Sequence, residues 1–298
     1  MVRDFHVSVM LSEAVDALHV EKGKKYIDAT LGGGGHAIEI VKRGGIVLGI
    51  DVDLDAINYV EEKIKNQIAN SKNATLVRGN FLQITEIARE NGFEEVSGIL
   101  FDLGVSSYQF DKAERGFSFQ REGPLDMRMD QSLSVKAADL INGLTKAELT
   151  KLFDKYGEER FAKKIAGAIV KARLEQPIHK TTELSGIIER TTGIREKIHP
   201  ATRVFQALRI AVNDEIHVLE DALGQSVRLL EDAGRIVVIS FHSLEDRVVK
   251  RAFLEFEDQG LGSMVTRKPI LPSEHELREN PRARSAKLRV FARTTNYE

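Results

Sequence analysis

Tyr26-Ile-Asp-Ala-Thr-Leu-Gly-Gly-Gly-Gly-His36, read together with Gly49-Ile-Asp51, decides the fold of this chain. A short apolar run, Lys25 to Ala29, ends in four consecutive glycines, and a helix-like stretch from His36 to Lys42 follows at once. A second apolar run, Ile46 to Ile50, then ends on Asp51. Strand, glycine turn, helix, strand and acid in this order form a nucleotide-cofactor site. Glycines turn the backbone sharply and admit a ligand where a Cβ would block it. The helix start offers unpaired N–H groups. A carboxylate at the strand tip can accept two ribose hydroxyls. The spacing Gly32-x-Gly34-x-x-Ala37, with an acid about 20 residues on, also satisfies the dinucleotide fingerprint. The glycines therefore do not separate a nicotinamide enzyme from an S-adenosylmethionine enzyme.

Outward from this stretch the first hundred residues alternate strand and helix. Apolar runs recur at Tyr26–Ala29, Ile46–Ile50, Ala74–Val77 and Gly98–Phe101, with helical spacing in Asp55–Ile68 and Leu82–Glu90 between them. Short buried strands separated by helices predict a parallel sheet covered on both faces. The alternation stops after Phe101-Asp-Leu-Gly104. A polar segment from Ser106 to Asp130 leads into helices at Ala147–Phe153, Glu159–Leu174, Glu183–Arg190 and from Pro200 onward. Strand character returns at Arg235–Ser240, and the last apolar alternation is Lys287–Ala292. The expected fold class is thus α/β, a Rossmann-like sheet with an inserted helical domain. Residues 1–106 and 216–298 carry the sheet and 107–215 the insertion, at the carboxyl end of the fourth strand beside the crevice.

Composition narrows the class. The 298 residues are 42% hydrophobic and 30% charged, suited to a soluble globular protein. Cysteine is absent, which excludes disulfides and thiolate metal sites and fits a reducing cytoplasm. No run approaches the ~18 apolar residues of a membrane span, so no membrane partner is expected. Net charge is −2, yet its distribution is uneven. Arg267 to Arg293 carries eight Lys/Arg against three acids, and Lys155 to Arg173 six against two. Two basic patches suit a polyanionic partner.

Other motifs fall at strand ends. Asp102 follows the fourth strand and is placed as an acceptor for the cofactor or for a substrate amino group; its alternative is a turn Asp. Phe81 follows the third strand, where an aromatic packs on an adenine ring or in the core. His242, in Ile239-Ser-Phe-His-Ser243, follows the fifth and is a candidate for substrate binding or proton exchange, or a hydrogen-bonded loop residue. No second ligand stands near it at metal spacing, so no metal is expected. Arg115, Phe117 and Phe119 are candidates for RNA contact, the rings as base stackers or as anchors of the insertion's core. Arg282 and Arg284 offer guanidinium forks to phosphate.

These residues resemble one family. His6-Val-Ser-Val-Met-Leu11, Gly33-Gly-Gly-His36, Phe101-Asp-Leu-Gly-Val-Ser-Ser107, Glu114-Arg-Gly-Phe-Ser-Phe119 and Gly123-Pro-Leu-Asp-Met-Arg-Met-Asp130 carry the resemblance, with Tyr156-Gly-Glu-Glu-Arg-Phe-Ala162, His199-Pro-Ala-Thr-Arg203, Ile239–Arg247 and Glu279–Ser285. The chain resembles, over nearly its whole length, the bacterial ribosomal small-subunit methyltransferase H family. The resemblance implies methylation of a cytosine N4 in the decoding region of 16S rRNA, with the small ribosomal subunit as substrate and S-adenosylmethionine as cofactor. It implies cofactor roles for Gly33, Gly34, Gly35, His36, Asp51, Phe81, Asp102 and Gln109, and adds Arg203 to the RNA set; a homodimer is compatible with it. Asp102 and His242 are the catalytic candidates, with a backbone carbonyl near Leu103-Gly104 as another proton acceptor. The chain departs from the pattern at Gly33, where relatives usually carry a bulkier residue, and at Tyr108, where Pro is usual. Asp102-Leu-Gly-Val also replaces the Asn/Asp-Pro-Pro-aromatic motif of many amino-group methyltransferases. Two other classes remain at this point: a nicotinamide oxidoreductase, and a ribosome-assembly factor without catalysis.

Overall fold

The computed structural model describes residues 8–67, 71–193 and 199–294. His6, Val7 and Ile68, and the side chain of Tyr108, lie outside the described set. The chain divides into two compact units, one running to Ser106 and resuming at Ile216, the other spanning Ser107–Glu215.

The first unit opens with α1 (Leu11–Leu18) and then alternates β1 (Lys25–Asp28), α2 (Gly35–Lys42), β2 (Ile46–Asp51), α3 (Leu54–Gln67), β3 (Ala74–Arg78), α4 (Ile84–Glu90) and β4 (Val96–Asp102). The inserted unit carries α5 (Ser107–Asp111), α6 (Ala137–Gly143), α7 (Lys146–Gly157), α8 (Ala162–Glu175), α9 (Thr181–Thr192) and α10 (Ala201–Asn213). α11 (Glu215–Leu229) leads into β5 (Leu230–Ser240), α12 (Ser243–Asp258), β6 (Gly262–Met264), α13 (Glu274–Glu279) and β7 (Lys287–Arg293). Strand order is β3-β2-β1-β4-β5-β7-β6. The first five strands run parallel, whereas β7 and β6 are antiparallel to their neighbours, a feature the repeating pattern does not predict. The order reverses between β1 and β4, which opens a crevice at their carboxyl ends.

Strand residues alternate between two apolar layers. Ile27, Leu48, Ile50, Ile99, Phe101, Ile236 and Val238 face one core, and Tyr26, Val47, Leu100, Val237, Ile239, Leu288 and Val290 face the other. This period of two is what a sheet covered on both faces requires. In β5 the strand begins at Leu230 rather than Arg235. A register shift opposite Val96/Gly98 and a positive φ at Ala233 accommodate Glu231-Asp-Ala-Gly234, polar residues that hide the strand from a hydrophobicity reading.

The inserted unit packs Leu149, Phe153, Ile165, Ile169, Leu184, Ile188, Val204 and Leu208 in its interior. Its irregular entry segment is clamped rather than loose. Asn213 donates to the Met127 carbonyl at 2.9 Å and accepts from Met129 N at 2.7 Å. Helix α8 starts at Ala162, not Glu159, because Glu159 is buried and its carboxylate accepts from Phe161 N at 2.8 Å ahead of the first turn.

Candidate active site

The glycine turn is held from both sides. Leu31 N donates to the Ile50 carbonyl and Ala29 N to that of Leu100, each at 2.9 Å. Gly34 adopts φ +71 and closes the turn by donating to the Leu31 carbonyl at 2.7 Å. A Cβ at Gly34 would stand 2.6 Å from Val60 Cγ1, and one at Gly35 would stand 2.1 Å from Ser8 Oγ. Both glycines are therefore required by space, and Gly34 by conformation as well. Gly33 has no positive φ.

Asp51 ends β2 and is half buried. Its Oδ2 accepts from Gly32 N at 2.8 Å and its Oδ1 from Asp53 N at 2.9 Å. The carboxylate thus fixes the turn. Phe81, half buried just after β3, meets Phe101 edge-on at a centroid distance of 5.6 Å.

Asp102 ends β4, where its backbone N donates to Thr30 Oγ1 at 2.6 Å. Its Oδ2 lies 3.8 Å from His36 Nδ1, and His36 Nε2 lies 3.2 Å from the Val9 carbonyl. A carbonyl only accepts, so Nε2 carries the hydrogen of that bond. Asp102 Oδ1 is buried with no hydrogen-bond partner, and so is Oδ2 of Asp28 at the end of β1. Burial, then the nearby Asp28, Glu245 and Glu276, raise the Asp102 carboxyl well above its ordinary range. Burial likewise pushes Asp28 up to about 7, opposed by backbone donors at Thr30 and Ala37 and reinforced by Asp51. Two buried carboxyl oxygens without donors call for a hydrogen-bonding or cationic group. S-adenosylmethionine, with its sulfonium and ammonium charges, fits that need.

His242 is placed differently from its expected role. It is the N-cap of α12: Nδ1 accepts from Glu245 N at 3.3 Å and Nε2 meets Glu245 Oε1 at 2.9 Å. Glu245, buried, returns a bond by accepting from Phe241 N at 2.7 Å. Both ring nitrogens meet the start of α12, through Glu245 N and the Glu245 carboxylate.

Residues 3–294 match the sequence model of the MraW methylase family. The chain belongs to the MraW methylase family. It is similar to a ribosomal RNA small subunit methyltransferase H of Halothermothrix orenii, 44% identical, with 98% of this chain and 99% of that one covered. A protein of the same name from Geotalea uraniireducens is 46% identical, covering 96% and 98%. Among solved structures, a rRNA methylase from Streptococcus thermophilus superposes with a TM-score of 0.47 at 11% identity, covering 95% of each chain. This MraW-family chain is a methyltransferase, and S-adenosylmethionine is its methyl donor.

The remaining expected residues lie apart in character. Gln109 is buried on α5 within the inserted unit. Arg115 and Phe117 are buried too, and Arg115 Nη2 donates to the Arg128 and Met129 carbonyls at 3.2 and 2.9 Å. Both are corrected from RNA contacts to structural elements, because a buried ring and a guanidinium spent on carbonyls present nothing to a base or phosphate. Phe119, half buried, stacks on His199 at 4.4 Å and meets Phe205 edge-on at 5.5 Å, so it too anchors the insertion. Arg203, Arg282 and Arg284 are exposed. Asp28, Thr30 and Glu276 were not singled out by sequence; only the place of Asp28 directly before the glycine turn offered a signal. No helix of the described residues is long and apolar enough to cross a membrane.

Proposed function

We propose that the chain methylates N4 of a cytosine in the decoding region of 16S rRNA, acting on the small ribosomal subunit. The observation that carries this reading is the unpartnered, buried Asp102 Oδ1 beside the glycine turn, an acceptor waiting for an N–H. The names of relatives similar over almost the whole chain support the substrate.

A cytosine N4 is a poor nucleophile because its lone pair is delocalised into the ring. The cofactor, when bound, supplies an electrophilic methyl on a sulfonium. Gly34 and Gly35 let the turn close against Val60 and Ser8, and the carboxylate of Asp51 orients the cofactor's hydroxyls. Asp102 accepts the N4 hydrogen bond and takes the proton released on transfer. Its raised proton affinity makes the ionised form a stronger base, and a neighbouring cation favours that form. The target base leaves its stack to reach the carboxylate. The reading includes a homodimer, which sedimentation checks: a species of monomer mass alone removes it.

Transfer of labelled methyl to purified small subunits, followed by nucleoside analysis, tests the reaction. N4-methylcytidine is expected, and Asp102→Ala abolishes it. Methylated uridine or adenosine would replace the reading. No transfer to subunits or to their assembly precursors, with cofactor binding intact, would overturn the substrate.

A further inference from the structure

Among the described residues, none hydrogen-bonds the carboxyl of Asp102. Its Oδ1 is buried and unpartnered, and its Oδ2 stands 3.8 Å from His36 Nδ1, beyond hydrogen-bond reach. The place of that carboxyl is therefore set by the backbone that carries it, at the tip of β4.

On one side β4 outruns its neighbour. Pairing between β1 and β4 ends at Asp28 opposite Leu100, and Ala29 N donates to the Leu100 carbonyl at 2.9 Å. The next β4 N–H on this side belongs to Asp102, and β1 has ended before it. In a continued parallel ladder a β1 carbonyl would take that bond. Here the Thr30 hydroxyl oxygen accepts it, at 2.6 Å. On the other side the backbone suffices. Asp102 pairs with Ile239 of β5, and Leu103 N donates to the Ile239 carbonyl at 3.0 Å. Beyond Asp102 the chain adds no stiffness of its own, since Gly104 follows at φ +99.

The sequence Asp28-Ala-Thr30 brings the hydroxyl into reach. Thr30 N donates to Asp28 Oδ1 at 3.3 Å, an Asx turn that takes the chain out of the sheet toward the glycines. The contact requires an oxygen on Cβ. Ser and Thr supply one, whereas Val has the shape of Thr and no acceptor. Among the described residues Thr30 Oγ1 has no second hydrogen-bond partner, so the bond from Asp102 N is the whole of its hydrogen bonding.

Resting on the reading of Asp102 as acceptor of the N4 hydrogen bond, we propose that Thr30 is a positioning residue for methyl transfer. Its hydroxyl stands in for the missing β1 carbonyl and holds the Asp102 backbone so that the carboxyl meets the substrate amino group. Thr30 exchanges no proton and acts through Asp102.

Two measurements on the full chain test this. The first needs no substrate. Amide hydrogen exchange of the ligand-free protein, followed by NMR, should show Asp102 N–H protected in the wild type and in Thr30→Ser. In Thr30→Val it should exchange at least about tenfold faster, with Ile99 and Phe101 unchanged. The second is methyl transfer to small ribosomal subunits. Thr30→Val is expected to lower kcat about a hundredfold, the scale of an ångström of misplacement, with KM and S-adenosylhomocysteine affinity within about threefold of wild type. Thr30→Ser is expected to restore kcat. An unprotected Asp102 amide in the wild type overturns the proposal, and this result stands even where the Val variant does not fold. Wild-type kcat in the Val variant also overturns it. Equal losses in Ser and Val would make Thr30 a packing residue, and cofactor affinity falling in step with kcat would make it part of the cofactor's seat; either overturns the positioning role. So does a lost kcat with the Asp102 exchange rate unmoved. The wild-type nucleoside assay judges the reaction separately, so failure of this role and failure of the rRNA reading are told apart.

Discussion

Replacing Asp28 by Asn is predicted to stabilise the ligand-free protein, increasingly so as pH rises. Asp28 is fully buried at the end of β1, and its carboxyl goes from an ordinary 3.8 up to about 7, chiefly through burial. Below pH 3.8 the carboxyl is neutral in both the folded and the unfolded chain. Between there and about 7 the folded chain binds more protons than the unfolded one, so stability falls as pH rises. Each pH unit is worth about 1.4 kcal/mol, so the full loss is about 4 kcal/mol by pH 8, an order-of-magnitude figure for one group. Asn is isosteric, and its amide oxygen still accepts from the Thr30 and Ala37 backbone. The difference between variant and wild type, from urea unfolding followed by far-UV circular dichroism, should therefore widen by about 4 kcal/mol from pH 4 to pH 8. Parallel pH curves, or a variant less stable at pH 8, would refute the buried-carboxyl argument. A second readout follows from proximity. Asp102 faces Asp28, His36, Glu245 and Glu276, and removal of the Asp28 charge lowers its proton affinity. The acid limb of the methyl-transfer profile should move to lower pH in the variant.

Gly34→Ala forces a side chain into φ +71 and against Val60, which together cost about 2–5 kcal/mol; calorimetry should show S-adenosylhomocysteine binding lost, and unaltered affinity would mean the turn is not the cofactor's seat. His242→Ala removes the α12 cap and lowers stability by about 1 kcal/mol, while His242→Asn restores the cap and keeps turnover. A turnover loss in the Asn variant at unchanged melting temperature would return His242 to the chemistry. Arg282→Ala with Arg284→Ala removes two exposed guanidiniums; the salt slope for RNA binding should fall by about 1.4 with cofactor affinity unchanged, and an unaltered slope rejects their phosphate role.

The catalytic half of the fold was legible because its signals are local. Glycines before a helix, acids at strand tips and period-two apolar runs need only neighbours in sequence, and they located β1 to β4 to within a few residues. α11 and the first residues of β5 escaped; Asp214 follows α10 almost without a break, and Glu231-Asp-Ala-Gly234 reads as a loop. The direction of β7 escaped as well, because hydrogen-bond pairing across the sheet, not composition, decides it.

Sequence alone determined the chemical inventory of this protein: a glycine turn that only Gly can make, carboxylates at the ends of the first, second and fourth apolar strands, and the absence of thiols. Tertiary structure decided which of those groups remain available for chemistry. It spent Arg115 on carbonyls, Phe117 and Phe119 on packing and His242 on a helix cap, and it left buried oxygens of Asp28 and Asp102 without donors. The reason is physical. Residue type sets what a side chain can donate or accept, but burial and partners, made by segments far apart in the chain, set what it still has to offer.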